Sequence, residues 1–331
     1  MKKFLFLGLL LFLFSCESKD APSVSFYYWK TFFKLTSKEQ QVLQANEVQK
    51  LYVRYFDVKL ENGKPFPVAP IHFDTAKPKA EIIPVVFIKN EVFLDKGVNV
   101  HDLVKNILQL IRQINTKNRI KNNEIQIDCD WSLQSRNVFM QFLQELKKQY
   151  PKTISATIRL HQVKYFKETK IPPVDYGVLM FYNMGQLKAN EGNSIYDKSI
   201  AEQYLPSLKN YPLDLKVALP VFSWIVHSRN GQIVNLIAKI DATEFQNNAN
   251  FDWKENKAVL KDDVITKGFF FKKGDQLKIE AIHEEDLEEM IDLLRKYMPK
   301  KPEEIIYYDL DQNNLNKQTD DTFFKTCNAD F

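Results

Sequence analysis

The stretch Ile125 to Ser132, IQIDCDWS, constrains this chain more than any other. It is a short apolar run that ends in two alternating acids, Asp128 and Asp130, followed by Trp131. Alternate side chains of a strand share a face, so the acids point one way and Cys129 the other. Charge at the end of a buried strand is costly unless it is paired or faces a cavity. Gln134 to Gln149 follows with Val138, Phe139, Phe142, Leu143 and Leu146 at helical spacing. A second strand, Thr153 to Leu160, again gathers polar residues, Arg159 and His161, at its C-terminal end. Strand, helix and strand with polar C-terminal ends is the repeating unit of a parallel α/β fold.

The rest of the chain repeats the unit. Strands are expected at Phe26–Trp29, Lys50–Val58, Ile82–Ile88, Asp175–Asn183, within Leu213–Trp224 and at Glu304–Asp309. Helices are expected at Ser37–Val48, His101–Asn115, Ser199–Leu208 and Glu284–Tyr297, with a proline-rich excursion over Glu61–Pro84. Residues 229–281, with alternating and turn-punctuated runs, read as an inserted antiparallel segment after the seventh strand. Eight strands alternating with helices predict an α/β protein, a (β/α)8 TIM-type barrel over 26–311, and a tail over 312–331 that is polar and poorly ordered apart from Phe323 and Phe324. An open nucleotide-binding sheet is disfavoured, because no glycine-rich first turn is present.

Composition narrows the function. The 25 Phe, 14 Tyr and 4 Trp against only 9 Gly suit a packed globular chain. A net charge of +4 from well-mixed acids and bases does not predict nucleic-acid binding. Lys2 and Lys3 precede an apolar run, Phe4 to Phe14, too short to span a bilayer. That order reads as a signal peptide over 1–15. Ser15-Cys16 at its end resembles a bacterial lipobox, which implies lipidation of Cys16, a tether over 16–25 and a lipid-anchored protein of the bacterial cell envelope. Cys129 reads as a small buried hydrophobe; whether it pairs with Cys327 stays open.

In a barrel the strand ends converge on one mouth. They collect Trp29, Arg54, Asp57, Asp128, Asp130, Trp131, Arg159, His161, Tyr182, Asn183, Trp224 and Asp309. Aromatic rings stack on the apolar faces of sugars, and acids, amides and arginines bind hydroxyls, so the set suits a glycan ligand. His72, His101, His227 and His283 lack ligand spacing, and neither a metal nor a cofactor is expected.

IQIDCDWS, its helix, TISATIRL, LMFYN and VALPVFSW resemble the fourth to seventh strands of the family 18 glycoside hydrolases, the chitinase-like barrels. The same pattern resembles bacterial lipoproteins built on this barrel. That family's fourth strand carries DxxDxDxE, onto which Asp128 and Asp130 fall as the second and third acids. Met180, Tyr182 and Asn183 fall on its sixth-strand motif. The resemblance implies glycan chemistry at the mouth, but the proton-donating glutamate falls on Ser132 and the first acid on Ile125. Loss of a general acid costs about 10²–10⁴-fold in rate. Two readings of function follow. In one, the barrel binds or processes a glycan, with Asp128 and Asp130 as candidate catalytic residues of a non-standard set. In the other, a degenerate, non-catalytic barrel serves an envelope protein partner or a structural role. A carboxylate such as Asp57 or Asp309 free to face Asp130 would favour the enzyme. Pairing of Arg54 and Arg159 with the nearby acids is an equal alternative to substrate binding.

Overall fold

The structure, a computed structural model, describes residues 21–74, 78–316, 318 and 320–331. The expected leader and Cys16 lie outside the described residues.

Eight parallel strands close into a barrel: β1 (Ser23–Tyr28), β2 (Lys50–Glu61), β3 (Glu81–Ile88), β4 (Glu124–Asp128), β5 (Thr153–Arg159), β6 (Tyr176–Met180), β7 (Leu215–Pro220) and β8 (Glu304–Tyr308). Each pairs in parallel with its neighbours in chain order, and β1 closes the ring by pairing with both β8 and β2. The (β/α)8 expectation is met. The helices form for the reasons their sequences give. In Val100–Asn118, Leu103, Val104, Ile107, Leu108, Ile111 and Ile114 recur at helical spacing and are buried, and Asn99 caps the first turn by accepting from the Asp102 amide.

Three expectations are corrected. The excursion after β2 is partly regular: β2 runs on to Glu61, and Lys64–Val68 turns back to pair antiparallel with it. Asn62 and Gly63, both at positive φ, make the two-residue turn. Among the described residues no helix lies between β2 and β3. The insertion begins earlier than residue 229. Its first strand is Ser223–Arg229, and with Gln232–Ala238, Phe251–Lys254, Lys257–Leu260 and Gln276–Ala281 it forms a five-stranded antiparallel lobe. The lobe has its own core around Ile225, Ile237, Phe251, Phe271 and Leu277. The tail is not loose. Phe323–Ala329 is a helix that packs Phe324 against Phe26 and Tyr307, while Asn328 accepts from the Tyr307 hydroxyl.

The barrel interior is unusually polar at its N-terminal end. Glu304 accepts from the hydroxyls of Ser25 and Tyr52 and pairs with Lys216 at 2.6 Å. Tyr52 meets Tyr176 at 3.0 Å, and Tyr176 and Ser155 both donate to Glu124. Each of these residues comes from a different strand, at a position whose side chain faces the interior, and Ser155 and Tyr176 lie abreast on β5 and β6. Burial pushes the Glu124 carboxyl up against the opposing pull of Tyr176 and Lys216. Removing one member of such a pair leaves an uncompensated charge. Lys216→Met should therefore destabilise the protein by about 3–5 kcal/mol, and Lys216→Met with Glu304→Met should recover most of the loss. Urea unfolding checks this; a single-variant cost below about 1 kcal/mol contradicts it.

Candidate functional site

The C-terminal mouth is built by the same alternation. Asp57, Phe87 and Asp128 lie abreast on β2, β3 and β4, while Arg159 and Met180 lie abreast on β5 and β6. Arg54 and Asp57 are three residues apart and would ordinarily face opposite sides. A register shift between Arg54 and Phe56 returns both to the interior. There they form a two-bond ion pair, with Arg54 Nε to Asp57 Oδ1 at 2.6 Å. The Arg54 guanidinium also lies over the Trp29 ring, 5.8 Å from its centroid.

A second pair stands across the mouth. Asp130, past the end of β4, accepts from Arg159 Nε at 2.5 Å. Asp128, one turn of the pleat deeper, is buried and accepts from the Thr157 hydroxyl at 2.7 Å. Burial pushes its carboxyl from 3.8 up to about 6, and the neighbouring Asp130 adds to the effect. Tyr182 is 5% exposed, and its hydroxyl has no hydrogen-bond partner among the described residues. A buried donor left open at the floor of a cleft is suited to a ligand oxygen.

Aromatic rings complete the floor. Trp29, Tyr308, Phe222 and Trp224 form a row with centroid separations of 5.5, 5.7 and 5.1 Å. Tyr182 stacks on Tyr308 at 5.5 Å. His161 is exposed on the first turn after β5, and Asn183 is exposed beyond β6 with φ of 53°. With Arg159, Met180, Tyr182 and Tyr204 they line a cleft of about 90 Å³. Although the residue as a whole is exposed, partial desolvation of its ring in the cleft and the Arg159 charge hold the His161 imidazole below its usual value, so it is neutral near pH 7.

Two expected site residues are elsewhere. Trp131 is buried against Phe139, ring on ring at 5.6 Å, because its odd position turns it outward from the barrel. Asp309 is likewise out of phase with the inward-facing Glu304 and Tyr308 of the strand it follows. It is 1% exposed and is held by Lys239 of the lobe at 3.0 Å and by Asn314 at 2.8 Å. Ser132, where the resemblance places the acid, stands 3.3 Å from Asn90 and has its amide bound to Ser135. Trp224 lies on the lobe's first strand and donates its indole N–H to Glu280 at 2.7 Å. Sequence reasoning missed Tyr27, Thr157, Phe222 and Tyr308. Counting in twos back or forward from Trp29, Arg159 and Trp224 would have found all but Tyr308. Cys129 and Cys327 are both buried and unpaired. Among the described residues no cluster of side chains could hold a metal.

A larger cavity, about 520 Å³, lies outside the barrel between the Lys64–Val68 hairpin strand and the Val100–Asn118 helix. Amides and prolines dominate its rim, with none of the paired charges and stacked rings of the mouth.

A closed parallel barrel with an antiparallel lobe after its seventh strand is the fold of the chitinase-like glycoside hydrolases. The chain superposes on the GH18 chitinase of Cycas revoluta in complex with (GlcNAc)4, with TM-score 0.55 and 10% identity over 93% of this chain and 98% of that one. It superposes equally on the spore cortex-lytic enzyme SleL of Bacillus megaterium, with TM-score 0.55 and 12% identity over 94% and 74% of the two chains. The chitinase of Chromobacterium violaceum gives a TM-score of 0.54 at 11% identity over 93% and 99%. No protein-family model and no curated protein sequence matches the chain.

The raised Asp128 carboxyl has a consequence for stability. The folded state binds its proton more tightly than the unfolded state, so stability from this group is greatest below its ordinary value and falls as pH rises from about 4 to about 6. Asp128→Asn should leave stability unchanged near pH 4 and raise it above pH 6, by at most about 3 kcal/mol at 1.36 kcal/mol per pH unit. Melting curves at the two pH values check it; a variant less stable at pH 8 contradicts it.

Proposed function

We propose that this protein is a lipid-anchored glycan-binding protein of the bacterial cell envelope, held through Cys16, whose barrel mouth receives a sugar chain without the standard chitinase acid. The observation that carries the reading is the floor of the mouth. A row of aromatic rings offers faces to pyranose rings, and Asp130, Arg159 and the open Tyr182 hydroxyl offer bonds to their hydroxyls. The superposed chitinase of Cycas revoluta, in complex with (GlcNAc)4, supports the choice of ligand class.

Binding is favoured over hydrolysis because both carboxylates that could have faced Asp130 are engaged. Asp57 is paired with Arg54, and Asp309 is sealed under Lys239. Asp128 is protonated in part near pH 6, but it sits two residues from Asp130 on the same side of any sugar. Two-carboxylate glycosidases need their groups flanking the bond.

The test compares the wild type with Ser132→Glu on an N-acetylglucosamine oligomer carrying a good leaving group, and on the unactivated oligomer. The wild type should turn over neither at a measurable rate, and Asp130→Ala should weaken binding of the oligomer about tenfold, as loss of a charged hydrogen bond does. Strong wild-type turnover of the unactivated oligomer would overturn the binding reading. The anchor is tested separately. Cys16→Ala should move the protein from the membrane fraction to the soluble fraction, and unchanged fractionation contradicts lipidation.

A further inference from the structure

We infer that Glu280 of the lobe is a positioning residue for the ligand, acting through the indole of Trp224; this rests on the glycan-binding reading. Trp224 and Glu280 are directly opposed on the antiparallel strands Ser223–Arg229 and Gln276–Ala281, so their side chains share a face. Glu280 Oε2 accepts the Trp224 indole N–H at 2.7 Å and also the hydroxyl and amide of Ser194, at 2.5 and 3.1 Å. Its other oxygen pairs with Lys278 at 2.6 Å. Lys278 in turn donates to the carbonyls of Lys188, Glu191 and Gly192.

This is a costly arrangement for a surface lobe. The side chains of Lys278 and Glu280 are 2% and 1% exposed, and an apolar pair of similar size would serve packing alone as well. What an apolar pair could not do is fix an indole by its N–H. The bond leaves Trp224 with one orientation, at the lobe end of the aromatic row and 5.1 Å from Phe222. The same carboxylate ties down the loop after β6 at Ser194, and Asn193 donates to the Ala281 carbonyl. That loop carries Asn183, whose amide donates to Ile195. One buried carboxylate therefore sets both a stacking ring and the adjacent polar wall of the mouth. The burial of Glu280 opposes its ionisation, yet Lys278, Ser194 and Trp224 hold its carboxyl below the usual range, so the acceptor is charged throughout the neutral region.

The experiment follows the Trp224 indole N–H by NMR in the full chain labelled at tryptophan, and titrates (GlcNAc)4 in parallel. The resonance is assigned by its absence in Trp224→Phe, a variant that keeps an aromatic ring and leaves Ser194 and Lys278 on Glu280. In Glu280→Gln this one resonance should shift upfield and exchange faster with solvent, while those of Trp29 and Trp253 stay in place. Affinity for (GlcNAc)4 should fall about tenfold in Glu280→Gln, which frees the indole, and about as much in Trp224→Phe, whose smaller ring has no N–H to anchor. The double variant should lose less than the product of the two single losses, because both act through the indole. An unmoved indole resonance, or losses that multiply in the double variant, would overturn the positioning role while leaving glycan binding intact. No binding of (GlcNAc)4 by the wild type would overturn both this inference and the reading beneath it.

Discussion

A charge inside a closed barrel must find a partner there, and most of this structure follows from that requirement. Strand alternation sends every second residue inward, and here those residues include Glu124, Lys216 and Glu304 near one end and Arg54, Asp57, Asp128 and Arg159 near the other. At the N-terminal end Lys216 pairs with Glu304, four tyrosine and serine hydroxyls bond to Glu304 and Glu124, and the group is buried. At the C-terminal end Arg54 pairs with Asp57 and Arg159 with Asp130 within reach of solvent, while Asp128 is buried against Thr157. The ends differ because β strands stop there and loops and the lobe, rather than a layer of side chains, cover them. A closed bottom and an open, balanced mouth are thus two outcomes of one constraint.

The architecture was legible in the sequence because its signals are local. The apolar runs of β3, β4 and β8 and the helical spacing in Val100–Asn118 each survive in a window of a dozen residues. The errors lie where the pattern depends on distant partners. The turn of Asn62-Gly63 folds a hairpin out of a proline-rich segment that reads as irregular. The lobe takes Ser223 and Trp224 from the segment read as the seventh strand, because their antiparallel partners, Ala281 and Glu280, lie more than fifty positions away. The tail looks polar, but Phe324 and Asn328 have a place prepared by Phe26 and Tyr307. At the site, Asp128, Asp130, Arg159 and Tyr182 were found by their position at strand ends. Trp131 and Asp309 shared that position but had the wrong parity. Parity, not proximity to the strand end, decides which residues enter a barrel.

The chemistry of the mouth is set by what its carboxylates are doing. Asp57 and Asp130 each answer an arginine, Asp128 answers a threonine in a buried setting, and Asp309 answers a lysine of the lobe. None is left poised opposite another across an open gap. What stays open is the Tyr182 hydroxyl and part of the half-buried rings of Trp29 and Trp224. On the proposed reading, such a surface would hold a polyhydroxylated chain by stacking and short polar bonds. The lobe belongs to this surface, since it supplies Trp224, its Glu280 anchor and the lysine that neutralises Asp309.

The most direct measurement is a glycan-array screen of the wild type beside Trp29→Ala and Tyr182→Phe. The account predicts retention of a restricted set of glycans by the wild type. Trp29→Ala should lose that retention through the missing ring, and Tyr182→Phe should weaken it at unchanged thermal stability through the missing hydroxyl. Glycan retention that survives both substitutions would place the ligand outside the barrel mouth and contradict the account.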